Sequence, residues 1–252
     1  LGSPRVVLAG DFMLDRYLYG EAERISPEAP VPVLRVLRDE CRCGGAGSVA
    51  AGVLALGAKV ACVGLTGDDA SGERLKGMLV AAGAQTASLL RLPGRLTTVK
   101  TRYVGLAQHK NAHQMLRVDQ EEAEPVEERV RLTLRAAVRT ELAESAILAI
   151  QDHGKGALTD ESCQGMIADA RKASVPVMVD PFRLADYRRY RGATVLTPNR
   201  WEAARASGVD IVDDASLHRA AEQMALVARA DAVVITLDRE GVYLYDRAKG
   251  GR

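Results

Sequence analysis

Excess charge is almost missing from this 252-residue sequence: Lys and Arg number 34 and Asp and Glu 33, a formal net charge of +1. So small an excess sets up no global field, which leaves nucleic acid and anionic membrane without a charge-based means of recruitment. Long apolar runs are missing too, so no segment of the sequence spans a bilayer. No stretch has the shape of a signal peptide, because Arg5 is followed by only a short apolar run before Asp11. A cytoplasmic location is the expectation. Cysteine is scarce. Cys41 and Cys43 form a C-x-C pair without a second pair at zinc spacing, and with Cys62 and Cys163 they are expected to be free thiols. His109, His113, His153 and His218 show neither triad nor metal spacing, and no serine sits in a G-x-S-x-G elbow, so hydrolase chemistry has little support. Neither a Walker A loop nor a G-x-G-x-x-G fingerprint occurs. Internal repeats and low-complexity runs are also absent.

What is present reads as one large α/β domain. Hydrophobic residues make up 47% and charged residues 27%, the balance of an ordinary globular enzyme. Short apolar runs at Val6–Ala9, Val60–Gly64, Ala146–Ile150, Val175–Val179, Thr194–Leu196, Ala232–Ile235 and Val242–Tyr245 predict strands. Between them, Ala46–Leu56, Gly72–Ala82, Glu127–Glu144, Asp160–Ala173, Arg200–Ser207 and Ala215–Ala228 predict helices. That alternation implies a mostly parallel sheet covered on both faces. Asp11, Asp152, Asp180 and Asn199 fall at strand ends, and ligands of open α/β sheets bind outside the carboxyl ends of strands, so these four are expected to line one cleft. Two segments break the alternation. Residues 16–37 contain Pro27, Pro30 and Pro32, and residues 97–119 alternate polar and apolar. Without crossover helices of their own, they are expected to be antiparallel strands of a small sheet that leaves the body as a lid.

Several groups could carry chemistry, each with a plainer reading beside it. Asp11 and Asp15 can each accept two hydrogen bonds from vicinal sugar hydroxyls, or cap a turn and face solvent. Gly44-Gly45-Ala46-Gly47-Ser48 opens a helix, where bare backbone admits a ligand, although close helix–sheet packing asks for the same residues. Lys100, Arg102, Arg117, Lys155 and Arg183 could bind a phosphate or be merely solvated. Asn199 and Glu202, at N-x-x-E spacing, could organise a magnesium ion and its waters or form a capping box, and the two are compatible. Thr236 to Gly241 reads as a hairpin turn.

In this order, these pieces resemble the ribokinase-like (PfkB-type) carbohydrate kinases, and within them the branch of heptose-7-phosphate kinase domains. The resemblance is carried by Gly10 to Tyr17, Arg24 to Val33, Gly44-Gly45-Ala46, Val63 to Asp69, Thr98 to Arg102, Leu116 to Asp119, Asp152 with Gly154-Lys155-Gly156, Val179-Asp180-Pro181 and Tyr190 to Asn199. It implies a three-layer sandwich with a β lid, and ATP-dependent transfer of a phosphoryl group to C1 of a sugar phosphate, with Mg2+. By the same resemblance, Asp11 and Asp15 would hold sugar hydroxyls with Gly44, Gly45 and Ser48 beside the sugar. Lys100, Arg102 and Arg117 would face the substrate from the lid, with Asp152 and Lys155 opposite. Asn199 and Glu202 would organise magnesium and the ATP phosphates, and Thr236 and Gly241 would lie near the nucleotide. The exposed lid invites strand pairing into a homodimer.

The departures from the family pattern carry expectations of their own. Ser48 stands at the family's asparagine, Phe182 at its lysine after Asp-Pro, His153 at its tyrosine, and Asp238 at the first glycine of the nucleotide turn. The Gly-Ala-Gly-Asp signature, whose aspartate accepts the hydroxyl proton, does not occur between Val242 and Arg252 and is expected beyond Arg252. Residues 1–252 are therefore read as a single domain incomplete at its C-terminus, able to hold a sugar phosphate but not to phosphorylate it. The alternative is an inactive sugar-phosphate-binding or regulatory module.

Overall fold

The computed structural model of the chain describes residues 2–107 and 110–251. His109, one of the four histidines, and Arg252 lie outside the described residues. In chain order the elements are β1 (Arg5–Gly10), β2 (Phe12–Ile25), β3 (Pro32–Gly45), α1 (Ala46–Ala55), β4 (Lys59–Gly67), α2 (Ala70–Ala81), β5 (Leu89–Leu92), β6 (Val99–Ala107) and β7 (Lys110–Gln120). They continue with α3 (Glu128–Leu142), β8 (Ile147–Gln151), α4 (Asp160–Lys172), β9 (Val177–Asp180), β10 (Val195–Leu196), α5 (Arg200–Ser207), α6 (Asp214–Ala228), β11 (Ala232–Thr236), β12 (Val242–Asp246) and β13 (Gly250–Gly251).

Nine strands form the main sheet in the order β13-β12-β11-β10-β9-β8-β1-β4-β5. All its pairs are parallel from β11 across to β5, and β11–β12 and β12–β13 are antiparallel. β1 shows why a continuous apolar run marks its centre. Val7 and Ala9 pack into the larger core with α3 and α4, while Leu8 points the other way, into a smaller core with α1 and α2. A strand buried on both faces cannot alternate with polar residues. The second face is less covered further along the sheet, where Met178 of β9 is 40% exposed. Strand β5 escaped the sequence reading because its four residues, Leu-Leu-Arg-Leu, have no period of their own. Among the described residues, no helix is long and apolar enough to cross a membrane.

The remaining four strands form the lid, in the order β3-β2-β6-β7. It consists of two antiparallel hairpins, β2–β3 and β6–β7, joined edge to edge through a parallel β2–β6 pair. The junction is parallel because both strands rise from the body in the same direction. The hairpins are longer than the segments read from sequence: β2 begins at Phe12, directly after the main-sheet strand, and β3 runs to Gly45, where α1 starts. Pro27 and Pro30 fall in the connection between β2 and β3, and Pro32 takes the first position of β3, where it removes no interior ladder bond.

Tyr187 and Tyr190 are fully buried beside the ends of β9 and β10, their rings edge to face at 5.6 Å. The Tyr190 hydroxyl donates to Asp152 at 2.8 Å, whereas the Tyr187 hydroxyl has no partner among the described residues. A buried hydroxyl without a partner forfeits its hydration for nothing. Tyr187→Phe is therefore expected to leave thermal stability unchanged or raise it by about 1 kcal/mol. Denaturant melts of the two proteins check this, and a loss of stability would mean that the hydroxyl is bonded in solution.

Candidate active site

The chain crosses from the main sheet into the lid at Asp11. Its amide donates to the Gln151 carbonyl at 3.1 Å and its carbonyl accepts from the Ala46 amide at 3.0 Å, so β8 and the start of α1 are both fixed to it. The carboxylate is buried and accepts from the amides of His153 at 2.8 Å and Lys155 at 3.2 Å. Burial, with Asp152 nearby, pushes its pKa up from 3.8 to about 6 against those two amides. The expectation that Asp11 lines the open cleft needs correcting. It lies beneath the cleft, its side chain engaged in holding the loop from Asp152 to Gly156.

Asp15, four residues on, is only partly buried and accepts from Arg102 Nη1 at 2.6 Å. Gly44 pairs with Met13 across β2–β3 and so lies diagonal to Asp15, and a Cβ at that position would lie 2.7 Å from Asp15 Oδ2. Gly45 has φ of 54°, and a Cβ there would meet the Asp11 carbonyl at 2.5 Å. The glycine pair thus makes room for the two aspartates, which joins the ligand reading and the packing reading. Ser48 is exposed, and its hydroxyl donates to the Gly45 carbonyl at 2.8 Å rather than reaching outward.

A cleft of about 780 Å3 opens between the lid and the carboxyl ends of the main-sheet strands. Lys100, Arg117, Asp152, Lys155, Asn199, Glu202 and Thr236 line it, along with Asp180 and Arg183. Asp11, Asp15, Gly44, Gly45, Ser48, Arg102 and Gly241 do not. Asp152 contributes mainly its backbone, because its carboxylate is enclosed: it accepts from Gly154 N at 2.8 Å, Arg189 Nη1 at 3.0 Å and the Tyr190 hydroxyl. Gly241 closes the β11–β12 hairpin with φ of 100°, and Asp238 in the same turn takes φ of 52°, the left-handed conformation that the family's glycine would adopt without strain. The outer edge of the Phe182 ring lies against Gly154, where a Cβ would meet it at 2.6 Å.

At the body end of the cleft, Asn199 and Glu202 form the capping box of α5. The Glu202 amide donates to Asn199 Oδ1 at 2.9 Å and the Asn199 amide to Glu202 Oε2 at 3.0 Å. Asp180 faces them and accepts from Gln151 Nε2. Burial raises the Asp180 pKa, the Gln151 bond opposes that, and Glu202 and Asp152 add to the rise. Among the described residues, no three His, Cys, Asp or Glu side chains converge on a metal-sized point. The donors fit a magnesium ion carried mainly by phosphate and water, with Asp180, Asn199 and Glu202 beside it, rather than a protein cage. Arg183, which lines this end, also stacks with the half-exposed Trp201 of α5, the Arg183 and Arg205 guanidinium groups lying 5.1 and 5.6 Å from its ring centre.

At the lid end, cations come with partners. Arg117 Nε lies 2.9 Å from Asp119 Oδ1, and Lys155 Nζ lies 2.7 Å from Glu121 Oε2. Asp119 was read in the sequence only as the end of a family match, and Glu121 not at all. A signal for them existed, since Arg117, Asp119 and Glu121 recur at the two-residue period that puts side chains on one face of a strand. Next to Lys100, burial first and then the positive charge of that lysine hold the His153 imidazole below its ordinary value.

A family model described as pfkB family carbohydrate kinase matches residues 3–252. The bifunctional protein HldE of Desulfatibacillum aliphaticivorans is 42% identical over 244 residues, covering 96% of this chain and 48% of that protein. HldE of Caulobacter vibrioides is 43% identical over 240 residues, covering 95% and 48%. The chain thus spans about half the length of the curated relatives it matches. Among solved structures, a ribokinase from Arabidopsis thaliana complexed with ribose and ATP superposes with a TM-score of 0.75 at 16% identity, covering 99% of this chain and 77% of that one. Phosphofructokinase-2 from Escherichia coli in complex with fructose-6-phosphate gives 0.77 at 18% identity, covering 99% and 78%.

The Asp11 carboxyl generates a pH prediction. Its folded-state pKa, about 6, lies above the 3.8 of an unperturbed carboxyl, so its contribution to stability is full below 3.8 and is lost as pH rises through about 6. Asp11→Asn keeps an oxygen for the two amides and removes the titration. Between about pH 4.5 and 7.5, the native chain is expected to lose about 2 kcal/mol relative to the variant. Paired denaturant melts across that range measure it, and parallel pH profiles would exclude a raised Asp11.

Proposed function

The chain belongs to the pfkB family of carbohydrate kinases, with the expected ribokinase-like sandwich and lid, and from that membership we propose that it serves ATP-dependent phosphorylation of a sugar phosphate. The proposed substrate is heptose 7-phosphate, with C1 as the acceptor. The observation that carries the reading is the shared cleft: Lys100, Arg117 and Lys155 stand at one end of it, Asp180, Asn199 and Glu202 at the other. A substrate phosphate and a nucleotide phosphate chain bound at those ends would bring acceptor and donor together between lid and body.

In this reading, Asp15 accepts hydrogen bonds from sugar hydroxyls, held in place by Arg102 and given room by Gly44. Asp11 keeps the Asp152–Gly156 loop under the sugar rather than touching it. Lys100, Arg117 and Lys155 receive the substrate's phosphate, and the lid lowers them onto it and excludes water. Asn199, Glu202 and Thr236 orient the nucleotide side. A bound Mg2+ would neutralise phosphate charge there. The proton acceptor is assigned to the family's Gly-Ala-Gly-Asp segment, which is not among these 252 residues. The lid also exposes Ile25, Val36, Leu37, Leu116 and Val118, which supports a second copy of the chain as its partner in a homodimer.

A second reading is an inactive sugar-phosphate-binding or regulatory module. It is favoured by Ser48, whose hydroxyl is engaged locally, and by Phe182, an apolar ring where the family carries a cation.

ADP release on mixing ATP, Mg2+ and heptose 7-phosphate with a protein that carries this chain together with the Gly-Ala-Gly-Asp segment separates the two readings. Tight calorimetric binding of the sugar phosphate without ADP release from a protein that includes the Gly-Ala-Gly-Asp segment would favour the module, and no binding at all would sink both. A polypeptide of these 252 residues is expected to bind without turnover. In the protein that turns over, Asp15→Ala is expected to raise the sugar KM at least roughly tenfold, the loss of one charge-assisted hydrogen bond, with little change in the KM for ATP. Unchanged sugar kinetics would remove Asp15 from the site.

A further inference from the structure

The loop that presents Lys155 is unusually constrained. The Lys155 amide donates to Asp11 Oδ2 at 3.2 Å, and its carbonyl accepts from Arg95 Nη2 at 2.6 Å. Gly154 and Gly156 flank it with φ of 67° and 79°. A Cβ at Gly156 would lie 2.0 Å from the Glu124 carbonyl, so the chain beyond the lid presses directly on this loop. Only the side chain of Lys155 is free to move, and its Nζ reaches 2.7 Å from Glu121 Oε2 with the two side chains 16% and 32% exposed. Glu121 follows the last residue of β7, and its neighbour Glu122 is tied down in turn. The Leu96 amide donates to Glu122 Oε1 at 2.9 Å, and Arg95 Nη2 to the Glu122 carbonyl at 3.1 Å. The Lys155–Glu121 pair is therefore a strut between two anchored backbones, one in the body and one at the root of the lid.

The other cations of the cleft differ in kind. Arg117 and its partner Asp119 lie on one strand and move together with the lid. Arg102, which does not line the cleft, is bound to Asp15. Lys100 has no carboxylate within 4.0 Å among the described residues, and is the only uncommitted cation at that end. A phosphate dianion needs more than one cation, so at least one pair must open to admit it. The strut is the pair whose cation faces the cleft from the body while its carboxylate sits on the lid.

We infer that Glu121 is a built-in competitor for the substrate's phosphate, holding Lys155 in a neutralised pair until a dianion replaces it. The inference rests on the reading of the cleft as a sugar-phosphate site. A phosphate monoester offers three acceptor oxygens and up to twice the charge of Glu121, so it can take Lys155 from the carboxylate. An uncharged sugar cannot, and gains nothing from the lysine.

The experiment titrates the full chain, Glu121→Gln, Lys155→Gln and the double variant with inorganic phosphate, heptose 7-phosphate and the unphosphorylated heptose by calorimetry. Glu121→Gln is expected to bind both phosphates roughly 3- to 10-fold more tightly than the parent, with binding of the neutral sugar unchanged. Lys155→Gln is expected to weaken both phosphates, and adding Glu121→Gln to it is expected to gain little, since the competition no longer exists. If the parent binds heptose 7-phosphate and Glu121→Gln binds it equally or more weakly, the competitor role is wrong while the sugar-phosphate reading stands. If the parent binds neither phosphate, the reading of the cleft falls and the inference with it. Glu121→Ala repeats the comparison should the glutamine variant misfold, and matching thermal melts establish that each variant is folded.

Discussion

A buried carboxylate with two backbone amides on it joins the parts of this molecule that must stay in register. Asp11 is the single residue between the last of β1 and the first of β2, so the main sheet becomes the lid at that point. Its own amide and carbonyl fix β8 and the start of α1, and its side chain fixes the loop that carries Lys155. Every distance across the cleft depends on these few bonds. The rise of the Asp11 pKa shows the cost of placing a charge there, since burial outweighs both amide hydrogen bonds. A residue that only bound a ligand would not need to sit so deep.

The cleft is built with opposed electrostatic ends. The lid end gathers cations but neutralises two of its three within the protein, Arg117 through Asp119 and Lys155 through Glu121. The body end gathers Asp180 and Glu202 with little compensation beyond Arg183, whose Nε is 3.9 Å from Glu202. An anion approaching alone is therefore met by competition at one end and repulsion at the other. In the proposed reading, a divalent cation brought in with the ligand answers the body end, and a ligand charged enough to displace a carboxylate answers the lid end. The near-zero net charge of the sequence concealed this, because the two ends cancel in the sum.

Much of the main sheet was legible in the sequence, and the reason is burial. Runs such as Val6–Ala9 and Ala232–Ile235 are apolar on both faces because helices or neighbouring chain cover both, and no other element of that length looks the same. Helix α5 was bounded to the residue by Asn199 and Glu202, whose reciprocal caps are a local signal. The strand-end position of Asp180 and Asn199 placed them in the cleft for the same local reason. What stayed hidden depended on pairing between distant segments. Strand β5 has no pattern apart from its place beside β4. The parallel junction of the lid joins β2 to β6, some eighty residues on, and nothing in either strand records its partner's direction. Asp11 was read as a cleft residue because its depth is set by Gln151, Ala46 and Lys155, none of them adjacent in sequence.

The positions that depart from the family pattern follow a common rule. Asp238 keeps the left-handed backbone of the glycine it stands for, which aspartate tolerates better than most residues. Ser48 returns its hydroxyl to the first turn of α1. Phe182 covers a glycine whose bare Cα is what lets the ring lie there. Each substitution keeps the scaffold. The fold and the family therefore remain readable from the residues that hold the frame: Asp11, Gly44, Gly45, Asn199 and Glu202. The carboxylates of the lid are a different matter, because their effect on the cleft exists only once the lid is folded against the body.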